Sequence, residues 1–159
     1  MAEQAEELAG AVWRAGVREA IYDHVFASPD AEVGGFLLGW VGEDARLRIA
    51  ESRPAASARR TATSVTFTQE DWADVLAHIE TLDRPHRIVG WYHSHPGYGI
   101  FLSSFDLFIH QNFFASAGQV AHVVDPIAGR EGLFGWSGGE VVKFVENATE
   151  RPPLGRPAP

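Results

Sequence analysis

Apolar positions recur at helical intervals between Val17 and Phe26, where Val17, Ala20, Ile21, His24 and Val25 share one side. This spacing predicts a first helix that stops near Ser28, before Pro29. From Val33 to Val41 the run is apolar almost throughout and carries Gly34, Gly35 and Gly39, which predicts a buried strand with close backbone approaches. Arg46 to Ser52 sets Leu47 and Ile49 against Arg46 and Arg48, the alternation of a hairpin partner. Arg53 to Ser64 has no period and no large apolar side chain, so a mobile loop is expected there. Thr68 followed by Asp71 marks a helix start, and Trp72, Val75, Leu76 and Ile79 form its apolar face up to about Leu82. Arg87 to His95 reads as a strand ended by Pro96 and the turn residues Gly97 and Gly99. A third helix is expected over Ser103 to Ser116 with Phe105, Phe108, Ile109 and Phe113 inward, then a short strand over Val120 to Val124. Leu133 to Trp136 and Val141 to Val145 flank Ser137, Gly138 and Gly139 as a hairpin.

Two stretches lie outside this pattern: a polar, helix-compatible lead-in over residues 1–10, and a Pro-rich tail over 150–159, expected to be disordered. The fold class is therefore α/β in the α+β sense, a curved and mostly antiparallel sheet flanked by helices, as a single domain over 1–149. Its 159 residues suffice for one core and not for two. Hydrophobic residues at 45% and charged residues at 21% argue for a folded chain. A net charge of -8 gives no basic footprint for nucleic acid. No apolar run approaches a membrane span and the N-terminus does not read as a secretory leader, so a soluble, cytoplasmic protein without membrane partners is expected.

The absence of cysteine removes disulfides, thiolate nucleophiles and Cys-based zinc sites, so any metal must be held by His and carboxylate. In WYHSHP, His93 and His95 are two apart, and the pleat of a strand turns both imidazoles to one face. Asp106 falls on the first turn of the third helix, where its carboxylate can point back to the end of that strand. Two His and one carboxylate plus a water make a catalytic rather than a structural zinc site, and the ion would lower the pKa of that water to roughly 7. Glu32, a charge leading into a buried run, is the candidate proton carrier, although spacing alone does not separate it from Glu43 or Glu51. Ser103, one turn before Asp106, is either an oxyanion donor or one half of a helix capping box. His110 has the neighbours of a packed helix and is set aside as a ligand.

These residues resemble the JAMM (MPN-plus) metalloprotease family. GWYHSHPGYGIFLSSFDLFIHQ is similar to its His-Ser-His-Pro, short loop, Ser-x-x-Asp pattern, and EVGGFLLG to its Glu-containing strand. The wording, also around VVDP at Val123 to Pro126, is nearest the branches of the proteasome-lid deubiquitinase and the signalosome deneddylase. The resemblance implies the MPN, cytidine-deaminase-like fold, with one catalytic zinc ion on His93, His95 and Asp106. It implies Glu32 as general acid/base and Ser103 as oxyanion stabiliser. Its implied substrate is ubiquitin or a ubiquitin-like protein, cut at a C-terminal tail laid beside the sheet, with an E1-like activating enzyme as pathway partner. The Arg53 to Ser64 loop falls where family members carry an insertion, which makes Arg59 and Arg60 candidate substrate contacts. Ile100 departs from the pattern, standing where close relatives often carry Cys.

Three other readings stay open on the residues alone. One is a peptidase for a sulfur-carrier-like protein, and another a non-catalytic MPN scaffold. The third, a non-haem iron oxygenase, also uses two His and a carboxylate, but commonly in the order His-x-Asp and a distant His rather than His-x-His and Asp.

Overall fold

In the computed structural model, which describes residues 8–156, the apolar run after Glu32 becomes an inner strand of a seven-stranded sheet. The elements in order are β1 (Gly10–Trp13), α1 (Val17–Phe26), β2 (Gly34–Val41), β3 (Arg46–Pro54), β4 (Arg59–Arg60) and β5 (Val65–Thr66). There follow α2 (Gln69–Glu80), β6 (Arg87–Ser94), α3 (Ser104–Phe113), β7 (Val120–Asp125), β8 (Arg130–Ser137) and β9 (Glu140–Ala148). Strand order is β1-β3-β2-β6-β7-β8-β9, and among the described residues only β1/β3 and β6/β7 pair in parallel. The sheet curls until Trp13 at one edge and Phe144 and Val145 at the other line the same cavity of about 360 Å³. Among the described residues no helix is long and apolar enough to cross a membrane.

Each face of the sheet has its own core. Ile21, Tyr22 and Val25 of α1 cover Leu37, Ile49, Tyr92 and Val124 on one face. On the other, Val75 of α2 and Ile109 of α3 pack with Phe36, Leu38, Trp91 and Val123. The alternation of Trp91 and Tyr92 between the two cores is the pleat expected of β6. Gly35 is required at the β2/β6 crossing, because a Cβ there would lie 2.4 Å from the carbonyl oxygen of Arg53 and 2.6 Å from the Tyr92 ring.

Several expectations change. Residues 1–7 of the anticipated lead-in lie outside the described residues, and Gly10 opens a strand that pairs in parallel with β3. The segment read as a loop carries β4, which forms a small antiparallel ribbon with β5, and Ala55 beside it is buried. Leu76 of α2 is exposed, and α3 ends at Phe113 rather than Ser116. Phe105, Phe108 and Phe113, expected inward, are exposed, because α3 turns Asp106, Ile109 and His110 to the protein instead. The tail over 151–156 has no helix or strand but is tethered. Leu154 and Gly155 donate backbone N–H groups to the carbonyls of Pro126 and Ile127, and Arg151 pairs with Asp23.

Beneath α1 the first core contains a polar cluster. The Tyr22 hydroxyl donates to Glu131 in a short hydrogen bond, and the His122 Nε2 lies 3.0 Å from the other Glu131 oxygen, all three residues being buried. Burial pushes the Glu131 carboxyl up, but the contacts from His122 and Tyr22 outweigh it and hold it below its ordinary value. A carboxyl with a depressed folded pKa contributes stability above its unfolded value, ~4.3, and loses that contribution as pH falls through the folded value. Unfolding free energies from urea titrations are therefore expected to fall on the acid side of pH ~4.3, and Glu131→Gln to flatten that fall while lowering the neutral plateau by about 1–3 kcal/mol.

Candidate metal centre

Four buried side chains from three parts of the chain converge on one end of the second core. Trp91 and His93 share the face of β6 that meets α2 and α3, His95 follows just past the end of that strand, and the His93 and His95 Nε2 atoms lie 3.1 Å apart. Gly34 is paired with His93 across β2 and β6. Val33 and Ser94 continue that register through the bonds Ser94 N–H to Val33 C=O and Val33 N–H to Ser94 Oγ. Glu32 is thereby carried to the level of His95, and its own N–H is held by the Thr61 carbonyl beside β4.

Asp106 reaches the same point from α3. Ser103 is the N-cap of that helix, its Oγ accepting from the Asp106 N–H at 3.0 Å while Asp106 Oδ2 accepts from the Ser103 N–H at 2.9 Å. The same Oδ2 lies 3.2 Å from His93 Nε2 and 3.1 Å from His95 Nε2. One donor atom from each of Glu32, His93, His95 and Asp106 falls within 4.8 Å of all the others. Trp91 stacks flat on the His93 ring at 4.4 Å, and Phe101 leans on the His95 ring at 4.8 Å.

The buried groups shift one another's ionisation. Burial pushes the Glu32 carboxyl up to about 7, with His95 opposing and Asp106 reinforcing the rise. His93 is lowered, chiefly by its complete burial. His95 is also penalised by burial, but Asp106 and Glu32 outweigh that and raise it. Asp106 is pressed upward by burial and brought far below the carboxylate range by the two histidines and the Ser103 amide. Among the described residues, Glu32 Oε1 and His93 Nδ1 are buried without a hydrogen-bond partner. Two imidazole nitrogens facing each other against one carboxylate oxygen, beside an orphaned carboxylate, fit a divalent cation better than they fit one another.

Of the residues singled out in the sequence, Glu32, His93, His95 and Asp106 are brought together and Ser103 borders them. Arg59 and Arg60 are exposed on β4 outside the cluster. His110 is outside it as well, yet it is wholly buried, its Nδ1 accepting the Trp91 indole N–H at 2.9 Å. Burial pushes it down to about 4, so it is a neutral anchor for the ring that stacks on His93. Sequence spacing missed the Trp91 contact; the four-residue interval between Asp106 and His110 was the available signal.

A family model described as JAB1/Mov34/MPN/PAD-1 ubiquitin protease matches residues 14–117. The chain belongs to this family. It is 36% identical over 113 residues to the 26S proteasome non-ATPase regulatory subunit 14 of Drosophila melanogaster, an alignment covering 69% of this chain and 36% of that protein. It is 37% identical over 110 residues to COP9 signalosome complex subunit 5 of Eremothecium gossypii, covering 67% of this chain and 25% of that protein. The aligned part is thus about a third or less of these relatives. The solution structure of protein DSY2949 from Desulfitobacterium hafniense superposes with a TM-score of 0.66 at 14% identity, covering 84% of this chain and 88% of that one. That likeness supports the MPN-like α+β fold, and the matched family segment contains all four residues of the cluster.

The raised Glu32 pKa has a measurable cost in the metal-free protein. Its folded state has no such penalty below the unfolded value and loses stability as pH rises from there to about 7. Metal-free Glu32→Gln is expected to be more stable than wild type by about 2–3 kcal/mol at pH 8 and by little at pH 4, as read by chemical denaturation.

Proposed function

We propose that this protein is a zinc-dependent isopeptidase or peptidase that releases ubiquitin or a ubiquitin-like protein at its C-terminus. The observation that carries the reading is the buried convergence of Glu32, His93, His95 and Asp106 in a chain of the JAB1/Mov34/MPN/PAD-1 family. His93, His95 and Asp106 would hold the ion, since two imidazoles and one carboxylate make a three-ligand set suited to zinc. A zinc ion so held supplies Lewis acidity, which makes water nucleophilic near neutral pH and polarises a carbonyl.

The remaining chemistry falls to the chain's own residues. Glu32, buried with one carboxylate oxygen unpartnered beside the cluster, would take the proton of the attacking water on a carboxylate oxygen and deliver it to the leaving amine nitrogen. Ser103 spends only a lone pair on its helix cap, so its O–H is available to the substrate carbonyl oxygen as negative charge develops there. Trp91 and Phe101 pack the histidine rings and keep bulk water from their sides. The β4 segment is tied to Glu32 through the neighbouring Thr61 carbonyl, and its exposed Arg59 and Arg60 would meet acidic groups of the modifier. A sulfur-carrier-like modifier would offer the same kind of extended C-terminal tail and is tested in the same experiment.

Purified zinc-loaded protein is incubated with ubiquitin and ubiquitin-like proteins, sulfur carriers included, fused through their C-termini to a reporter. Release is expected for at least one modifier, reduced by roughly 10²–10⁴-fold in Glu32→Gln and abolished in His93→Ala. Zinc bound at one equivalent with no release from any fusion, and none from chains conjugated through lysine, sinks the peptidase reading in favour of a scaffold.

A further inference from the structure

We propose that Asp125 is a positioning residue for His95, acting through the turn that follows it; this rests on the metal-binding reading above. Asp125 ends β7, is buried, and spends both carboxylate oxygens on main-chain amides. Oδ1 accepts from Gly97 at 2.9 Å and from Ile127 and Ala128 at 3.0 Å, and Oδ2 accepts from Gly99 at 3.0 Å. Gly97 and Gly99 both have positive φ, 81° and 85°, so the turn lies in a conformation that few sequences hold unaided. It closes on His95: the Gly99 carbonyl faces His95 Nδ1 at 3.1 Å. A carbonyl can only accept, so this contact puts a proton on Nδ1 and leaves Nε2 as the donor atom in the cluster. Removing the amide anchors frees Gly99 to turn away, and with it the constraint on ring orientation. The β7 end of the cradle is fixed separately by the His95 N–H bond to Val124 C=O at 2.8 Å, and the Gly97 carbonyl accepts from Arg156 of the tail. One side chain meeting four main-chain amides ties the turn to the end of β7 at four points.

The test uses the full chain. Zinc dissociation constants are measured by chelator competition for wild type, Asp125→Asn, Asp125→Ala and Tyr22→Phe, the last weakening the opposite core without touching the centre. The expected result is zinc binding weaker by roughly 10- to 100-fold in the Asp125 variants, as for loss of other partners of metal-ligating histidines, and unchanged in Tyr22→Phe. In ¹⁵N-edited spectra of zinc-loaded wild type, the His95 Nδ1–H is expected to exchange slowly with water, and faster in Asp125→Asn. Zinc affinity in a folded Asp125 variant equal to that of Tyr22→Phe overturns the proposal while leaving the metal reading intact. Should neither Asp125 variant fold, the wild-type spectrum decides: slow exchange supports the clamp and fast exchange overturns it. Failure of wild type to bind zinc overturns the metal reading and this one together.

Discussion

The antiparallel register of β2 against β6, with Gly34 opposite His93, governs where the donors of the cluster can be. Side chains alternate across a sheet, so a slip of one residue would send His93 and His95 into the α1 core and bring Tyr92 to their place. The register is held from several sides at once. Gly35 admits the Tyr92 ring and the Arg53 carbonyl, where any side chain would collide. Ser94 and Val33 exchange bonds one step beyond the last ladder pair, which extends the ordered edge to Glu32. Charge is thus carried to the end of a buried strand by backbone pairing, a cheaper route than threading a carboxylate through apolar side chains.

The third helix is placed by polar contacts as much as by apolar ones. A helix in a soluble domain ordinarily turns its most hydrophobic stripe inward. Here the inward stripe is Asp106, Ile109 and His110, while Phe105, Phe108 and Phe113 face outward. Asp106 closes the capping box and meets both histidines with a single oxygen, so rotating the helix to bury the phenylalanines would break the cap partner away from the cluster. His110 fixes the same rotation from one turn further on, through the Trp91 indole. The buried Glu-His-His-Asp cluster and the packing of α3 are therefore one arrangement. Orphaned polar atoms remain at its centre, on Glu32 and His93, where an ion and solvent would find partners.

Local spacing determined a good deal of this protein. The period-two pair His93 and His95, the Thr68/Asp71 and Ser103/Asp106 capping signals, the β2/β3 hairpin and the lack of cysteine are short-range features, and they delimited both the strand-and-helix order and the chemistry open to the chain. What only the tertiary structure decided depends on contacts between distant residues. Glu32 could not be told from Glu43 or Glu51 by its neighbours, because its place beside His95 comes from pairing across 61 residues, as the Val33–Ser94 bond records. The parallel docking of β1 on β3, the Tyr22–Glu131–His122 cluster and the Asp125 cradle have the same character. Hydrophobic periodicity misplaced the α3 aromatics because burial there follows from the polar contacts of Asp106 and His110, which no pattern of apolar positions encodes.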